Sequence, residues 1–358
     1  VTSASTRSPS PRAPWLALAL GALALCTSAL AAAAEPVIDS GFLARFAPSL
    51  LKVETRNTDG SANIGTAVIV GNRVAATNCH VIARARAIGM GRAGVRVQVT
   101  DLRVSAARDV CLLYAFEPLG VPVTLAEAPP KVDQPVIALG FGGGSELRFS
   151  GGTVEGVYDL DGGKVIRSSS AFVSGASGGA LLDTDGRLLG LVTFKSHAGP
   201  AYHFSIPASW IREELGAPKA PFAGAGIGPA FWQEPIDAQP FFLRATQLEA
   251  DRRWQQLSEL GSQWTAVARD DGNAWLARGK AELELHRPDA ALTALTRSVR
   301  LDAGNAEAWY VLGLAYAAFG KTADAMDCYR RLMALSEDRA LRLARETGLC
   351  GREQTVRC

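Results

Sequence analysis

The sequence predicts an all-β domain followed by an all-α one, and three observations carry that expectation. Short apolar or β-branched runs, broken by Gly and Asp turns, continue to about residue 207 with almost no helical period. A stretch rich in Ala, Gly and Pro follows, from Ala217 to Pro235. Beyond it the apolar period becomes helical, and Trp275, Gly279 and Ala291 recur 34 residues later as Trp309, Gly313 and Ala325.

Bulk properties agree with more than one domain. At 358 residues the chain is long for a single core, and its 48% hydrophobic and 20% charged content is ordinary for globular protein. Residues 1–34 read as a secretory signal peptide: Arg7 and Arg12, an apolar run from Leu16 to Leu25, then small residues to a cleavage site near Ala34. An uncleaved membrane anchor is the alternative; a lipoprotein signal at Cys26 fits less well, because Leu25 precedes it. Cleavage removes two of the 37 basic residues and leaves them equal to the 35 acids. That balance gives no electrostatic case for nucleic acid or an anionic membrane surface. Export, to the periplasm or outside the cell, permits disulfides among the five remaining cysteines.

In chain order, residues 49–55 and 64–70 form a hairpin pattern around Asp59-Gly60-Ser61, and Arg73–Thr77 is a third strand. The third strand leads into Asn78-Cys79-His80. One of four histidines, His80 sits at the end of a buried-looking strand, where a hydrogen-bonded core histidine is the common case. Asp109 opens the apolar strand Val110–Tyr114, a place where turn aspartates are also common. Gln134–Leu139 is a strand, and Gly140-Phe141-Gly142-Gly143-Gly144 reads as a loop. Two strands, 147–150 and 152–157, follow it in place of a helix, so it is no phosphate cradle. Turns at Asp161–Gly163 and Asp183–Gly186 flank Ser177, with strands at 164–168 and 188–194. Trp210–Leu215 closes the domain as a helix.

The centre of this domain is Val173-Ser174-Gly175-Ala176-Ser177-Gly178-Gly179-Ala180. Its glycines allow backbone N–H groups to converge on one point, which suits a nucleophile that generates an oxyanion. G-x-S-G-G alone is weak, since small residues mark many turns. With His80 and Asp109 upstream, base, acid and nucleophile stand in order, 29 and 68 residues apart.

These motifs resemble the chymotrypsin-like (trypsin-fold) serine proteases, in particular the bacterial HtrA/Deg-like branch. Thr77-Asn78-Cys79-His80-Val81, Asp109-Val110-Cys111-Leu112-Leu113 and Gly175-Ala176-Ser177-Gly178-Gly179 carry the likeness, with Gly190–Thr193 and Phe204–Pro207 downstream, over residues 40–212. The resemblance implies a double β-barrel and a catalytic triad of His80, Asp109 and Ser177, with an oxyanion hole at the N–H groups of Gly175 and Ser177. It implies that Thr193 orients Asp109, and that Thr193-Phe194-Lys195 forms an edge for an extended substrate. Ordinary strand filling is the other reading of Thr193 and Phe194.

In this family an acid six positions before the nucleophile selects basic side chains. Ala171 stands there, which implies a small or apolar pocket. His203, near the pocket wall by resemblance, would favour acidic side chains, unless it is an exposed strand histidine. Lys195 replaces a common glycine, which puts subsite access in question. If the triad forms, Cys79 and Cys111 come close enough to pair, two buried thiols being the alternative. No metal-ligand spacing occurs and no cofactor is implied. HtrA/Deg relatives usually carry a PDZ module after the barrels, which this chain lacks. No activation sequence is evident before residue 50, so activity without zymogen cleavage is expected.

The 34-residue recurrence resembles tetratricopeptide helical hairpins over about residues 240–348, with a half-repeat at Trp254–Ala268 and a capping helix at Ser336–Glu346. Arg278 and Glu282 depart from the pattern. Such an array binds extended peptides or protein partners, packs on the barrels or mediates self-association. One disulfide among Cys328, Cys350 and Cys358 is open.

The expected organisation is therefore a signal peptide (1–34), a trypsin-like domain (35–215), a linker (216–238) and a tetratricopeptide domain (239–358). The expected function is an exported serine endopeptidase acting on peptide or protein substrates. The alternatives are a latent protease-fold scaffold that binds protein through its repeats, and an ester hydrolase using the same site.

Overall fold

In this computed structural model, residues 40–143, 146–196, 202–221 and 226–350 are described. The expected signal peptide, Cys26 and Cys358 lie outside them. After helix α1 (Ser40–Phe46), the first hairpin is β1 (Leu50–Asn57) and β2 (Ala62–Gly71), followed by β3 (Val74–Thr77) and a one-turn helix α2 (Cys79–Ile82). Strands β4 (Ala85–Arg92), β5 (Val95–Ser105) and β6 (Val110–Ala115) complete the set. The sheet order is β5-β4-β1-β2-β3-β6, and a further β5–β6 pairing closes it into a six-stranded barrel.

The second barrel comprises β7 (Pro135–Gly142), β8 (Glu146–Leu160), β9 (Gly163–Ser168), β10 (Gly179–Leu182), β11 (Leu188–Lys195) and β12 (His203–Pro207). It closes in the order β10-β11-β12-β9-β8-β7. The architecture is thus two six-stranded barrels, then helix α3 (Ala208–Leu215). Closure hides every strand edge except where strands end, and the strand ends are where the candidate residues sit.

Several expectations need correction. The Gly140–Gly144 run is not a loop at its start: Gly140, Phe141 and Gly142 extend β7 and pair with Arg148, Leu147 and Glu146. Residues 147–157 belong to one 15-residue strand, whose first half pairs with β7 and whose second half pairs with β9. Strands β4 and β5 had no counterpart in the sequence reading. Within the expected linker, Ala220–Pro221 forms a short strand, β13, against Leu102 and Asp101 of β5. Cys350 is disulfide-bonded and Cys328 is a buried free thiol, which burial holds well above its ordinary pKa at about 12.

The helical region runs α4 (Phe241–Ala250), α5 (Trp254–Val267), α6 (Gly272–Glu284), α7 (Pro288–Leu301), α8 (Ala306–Ala318), α9 (Thr322–Leu335) and α10 (Glu337–Glu346). The pairs α6/α7 and α8/α9 repeat with the 34-residue spacing read from the sequence. The repeated residues have equivalent tasks. Trp275 and Trp309 each donate an indole N–H to the carbonyl six residues earlier, Arg269 and Ala303. A Cβ on Gly279 or Gly313 would come within 2.5 Å of Leu295 or Leu343, so these glycines permit close helix packing. Capping is side-chain mediated at both repeats: Asp271 accepts from Asn273 N, and Asn305 from Ala308 N.

The helices share a core with the barrels. Phe242 of α4 stacks on Tyr158 of β8 at 4.7 Å, and Asn273 donates to Val157 O at 2.9 Å. A charged cluster lies beside this contact. Lys280 meets Glu249 at 2.8 Å and Glu307 at 3.0 Å, while Arg339 meets Asp133 at 2.7 Å and also bonds Glu307. Burial opposes the charge on Glu307, yet Lys280 and Arg339 outweigh it and hold the carboxyl below its ordinary value. A depressed carboxyl stabilises the fold above its unfolded pKa and loses that contribution as pH falls through the folded value. Glu307→Gln should therefore lower stability near neutral pH by about 1–3 kcal/mol, because two cations lose their half-buried partner. Acid unfolding of the wild type, followed by circular dichroism, should steepen below about pH 4.5, and the variant should lack that component.

Candidate active site

Each candidate residue occupies the end of a strand or the turn beside it. Asn78 follows β3, and His80 lies on α2, one turn long, so its ring projects from the rim of the first barrel. Asp109 closes the turn before β6 with φ +59°, a left-handed conformation that Asp tolerates better than most residues. Its side chain is fully buried. Oδ1 accepts from the backbone N–H of His80 at 2.8 Å, and Oδ2 lies 2.7 Å from His80 Nδ1. That contact assigns the proton to Nδ1 and leaves Nε2 as the acceptor in the neutral ring. The Cys79–Cys111 disulfide, with Cα atoms 4.9 Å apart, ties α2 to β6 immediately beside this pair.

The loop around Ser177, the expected nucleophile, is shaped by glycines at two positions where no other residue fits. Gly175 has φ +97° and Gly178 φ +82°; a Cβ would lie 2.5 Å from Phe141 O at the first and 2.1 Å from Thr66 O at the second. Thr66, unnoticed in the sequence, is the frame. Its hydroxyl donates to Gly175 O and accepts from Phe141 N, both at 2.9 Å, and its N–H donates to Ser177 O at 2.8 Å. These bonds turn carbonyls toward the barrel. No described residue accepts from the N–H groups of Gly175 and Ser177, the two expected oxyanion donors.

The hydroxyl of Ser177 donates to Thr193 O at 3.0 Å, and among the described residues it has no hydrogen bond to His80. Nor does Thr193 orient Asp109 as the resemblance implied. Its hydroxyl donates to Leu191 O at 2.7 Å and accepts from Asn78 Nδ2 at 3.2 Å. Asn78 Nδ2 also reaches Asp109 O at 3.0 Å, so the link from Thr193 runs to the aspartate's backbone through Asn78. The carboxylate's further donor is Trp232 Nε1, at 3.0 Å, from the segment read as linker.

The specificity residues divide. Phe194 is half-buried and stacks on Trp232 at 4.8 Å, and Lys195 is exposed at the end of β11. Ala171 lines a cleft of about 110 Å³ with Leu139, Phe149, Phe172, Val192 and Arg148, a lining without an acid. His203 is not part of that lining. It is buried rather than exposed, packs on Phe172 at 4.8 Å, and is pushed to a lower pKa by burial and by Lys195. A buried, neutral imidazole is a poor receptor for an acidic side chain, which removes the reason for that preference.

Residues 65–191 match the family model of the trypsin-like peptidase domain. That match spans about a third of the chain. Residues 252–357 match the bacterial transcriptional activator domain. The helical region is therefore like that family; a tetratricopeptide identity rests on the 34-residue recurrence alone. Among solved structures, the chain is similar to the active form of the Rv3671c protease from M. tuberculosis, with 20% identity and TM-score 0.48, covering 63% of this chain and 100% of that one. The HtrA-type protease AlgW with a tripeptide has 26% identity and TM-score 0.42, covering 48% and 60%. The serine endoprotease from Yersinia pestis has 22% identity and TM-score 0.43, covering 48% and 62%. No curated protein matches.

The Thr66 frame is open to a direct test. Thr66→Val keeps the shape and removes both hydroxyl bonds, leaving Phe141 N and Gly175 O without that partner. Thermal or urea unfolding should show a loss of about 2 kcal/mol, the cost of stranding buried backbone groups. Reducing the Cys79–Cys111 bond, or replacing both cysteines by Ala, should cost about 3–4 kcal/mol on the chain-entropy account.

Proposed function

We propose that this protein is an exported serine endopeptidase in which His80 is the base, Asp109 its partner and Ser177 the nucleophile. The observation that carries the reading is the fully buried Asp109 carboxylate 2.7 Å from His80 Nδ1; beside it stands the Ser177 loop, where the Gly175 and Ser177 amides have no acceptor among the described residues. Ser177 Oγ attacks the substrate carbonyl as His80 Nε2 takes its proton. The oxyanion forms between the N–H groups of Gly175 and Ser177. His80 then returns the proton to the leaving amine, and water repeats the sequence on the acyl-enzyme.

The direction of the serine hydroxyl supports a specific resting state. Thr193 O, which holds it, belongs to the 193–195 edge on which an extended substrate would add as a strand. A substrate N–H that takes Thr193 O releases the hydroxyl toward His80, so substrate itself completes the site. The same bond supports the second reading, a latent scaffold that stays closed unless a partner opens it. An ester hydrolase would use the same groups. The helical region recruits a protein substrate, a partner or a second copy of the chain. Export is part of this proposal. Among the described residues no helix is long and apolar enough to cross a membrane.

A fluorophosphonate probe should label the wild type and leave Ser177→Ala unlabelled, and His80→Ala should slow labelling by about 10⁴-fold or more. A folded wild type that never labels, with or without peptide present, would favour the latent scaffold. Cleavage of a mixed peptide library should show no preference for Arg or Lys before the scissile bond, because the Ala171 cleft offers no acid.

A further inference from the structure

The segment joining the barrels to the helices runs across the candidate site. Phe231 N donates to Ala107 O at 2.9 Å, two residues before Asp109. Trp232 then lays its indole flat on Phe194, with centroids 4.8 Å apart at 11°, and edge-on to His80 at 5.2 Å and 90°. Its Nε1 donates at 3.0 Å to Asp109 Oδ2, the oxygen that also faces His80 Nδ1. The Trp232 carbonyl accepts in turn from Gln239 Nε2 at 3.1 Å, just ahead of α4. The indole is therefore placed from the barrel side by Phe231 and from the helical side by Gln239.

A fully buried carboxylate requires donors for its lone pairs. Oδ1 has the His80 amide, Oδ2 has the imidazole and the indole, and the hydroxyl expected there is committed to Leu191 O. An indole N–H only donates, whereas a hydroxyl rotates and also accepts. Stacked on Phe194, it fixes the carboxylate plane in one direction and shields the carboxylate–imidazole bond on one face. We propose that Trp232 is a positioning residue of the peptidase site, acting through Asp109 on His80, and that docking of the helical region thereby completes a site the barrels leave short of one donor. This deepens the peptidase reading and rests on it.

The test uses the full chain. Trp232→Phe keeps an aromatic ring on Phe194 and removes only the donor. Its fluorophosphonate labelling and its kcat should fall about ten- to hundredfold, the worth of one hydrogen bond to a buried charge, with KM close to wild type. A loss carried by KM instead, with kcat and labelling unchanged, would mean a merely structural ring and overturn the proposal. The downfield proton resonance of the His80 Nδ1–H, read by NMR in wild type and in Ser177→Ala, should shift or broaden when Trp232→Phe is added. Labelling at the wild-type rate with that resonance unmoved overturns the proposal. A wild type that does not label, but whose resonance moves on substitution, defeats the peptidase reading and leaves the positioning role standing; an unmoved resonance there defeats both. Should Trp232→Phe fail to fold, Gln239→Leu releases the Trp232 carbonyl from outside the site. It should then lower the labelling rate, and an unchanged rate counts against the proposal.

Discussion

The Asp109 carboxylate is the constraint on which the rest of this structure depends. It has no exposure to water, so its charge must be met by protein donors or it would not be buried at all. The local architecture supplies them. A turn in left-handed conformation swings the side chain under α2, where the His80 amide and imidazole both reach it. Asn78 holds the aspartate's own carbonyl, and the disulfide, whose cysteines adjoin His80 and follow Asp109 by two residues, ties strand and helix together. The remaining donor arrives from more than a hundred residues away in the chain.

The loop around Ser177 poses the opposite problem. Where Asp109 needs every acceptor matched, the oxyanion donors of the proposed function must be left open, which is costly unless the neighbouring carbonyls are firmly turned elsewhere. Thr66 does this from the facing barrel by taking Gly175 O with its hydroxyl and Ser177 O with its amide. Among the described residues the two amides have no acceptor, and the carbonyls beside them are bound. The serine hydroxyl donates to the carbonyl of Thr193.

Barrels and helices meet through an aromatic contact and a half-buried charged cluster, and the first of these anchors the described end of the expected linker. Phe231 packs between Phe194, Trp210 and Phe242, so a Pro- and Gly-rich composition ends in a docked anchor. Lys280, raised above its ordinary value by Glu249 and Glu307 against the pull of burial, joins the cluster in which Arg339 reaches Asp133 of the second barrel.

Sequence by itself determined the fold class, the order of His80, Asp109 and Ser177, and the 34-residue helical pairing, because these follow from local signals. Period 2 against period 3.6, Gly and Asp at turns, and small residues where helices cross are all written within a few positions of each other. Its errors came where local signals mislead: glycines inside β7 read as a loop because propensity ignores the partner strand, and a linker composition concealed an anchor. Only the tertiary structure decided that Thr193 faces Leu191 O, that His203 is buried on Phe172, that Thr66 frames the nucleophile loop and that Trp232 reaches Asp109. Each depends on which distant group fills a given direction in space, and a donor 123 residues away leaves no periodicity or spacing by which the sequence could announce it.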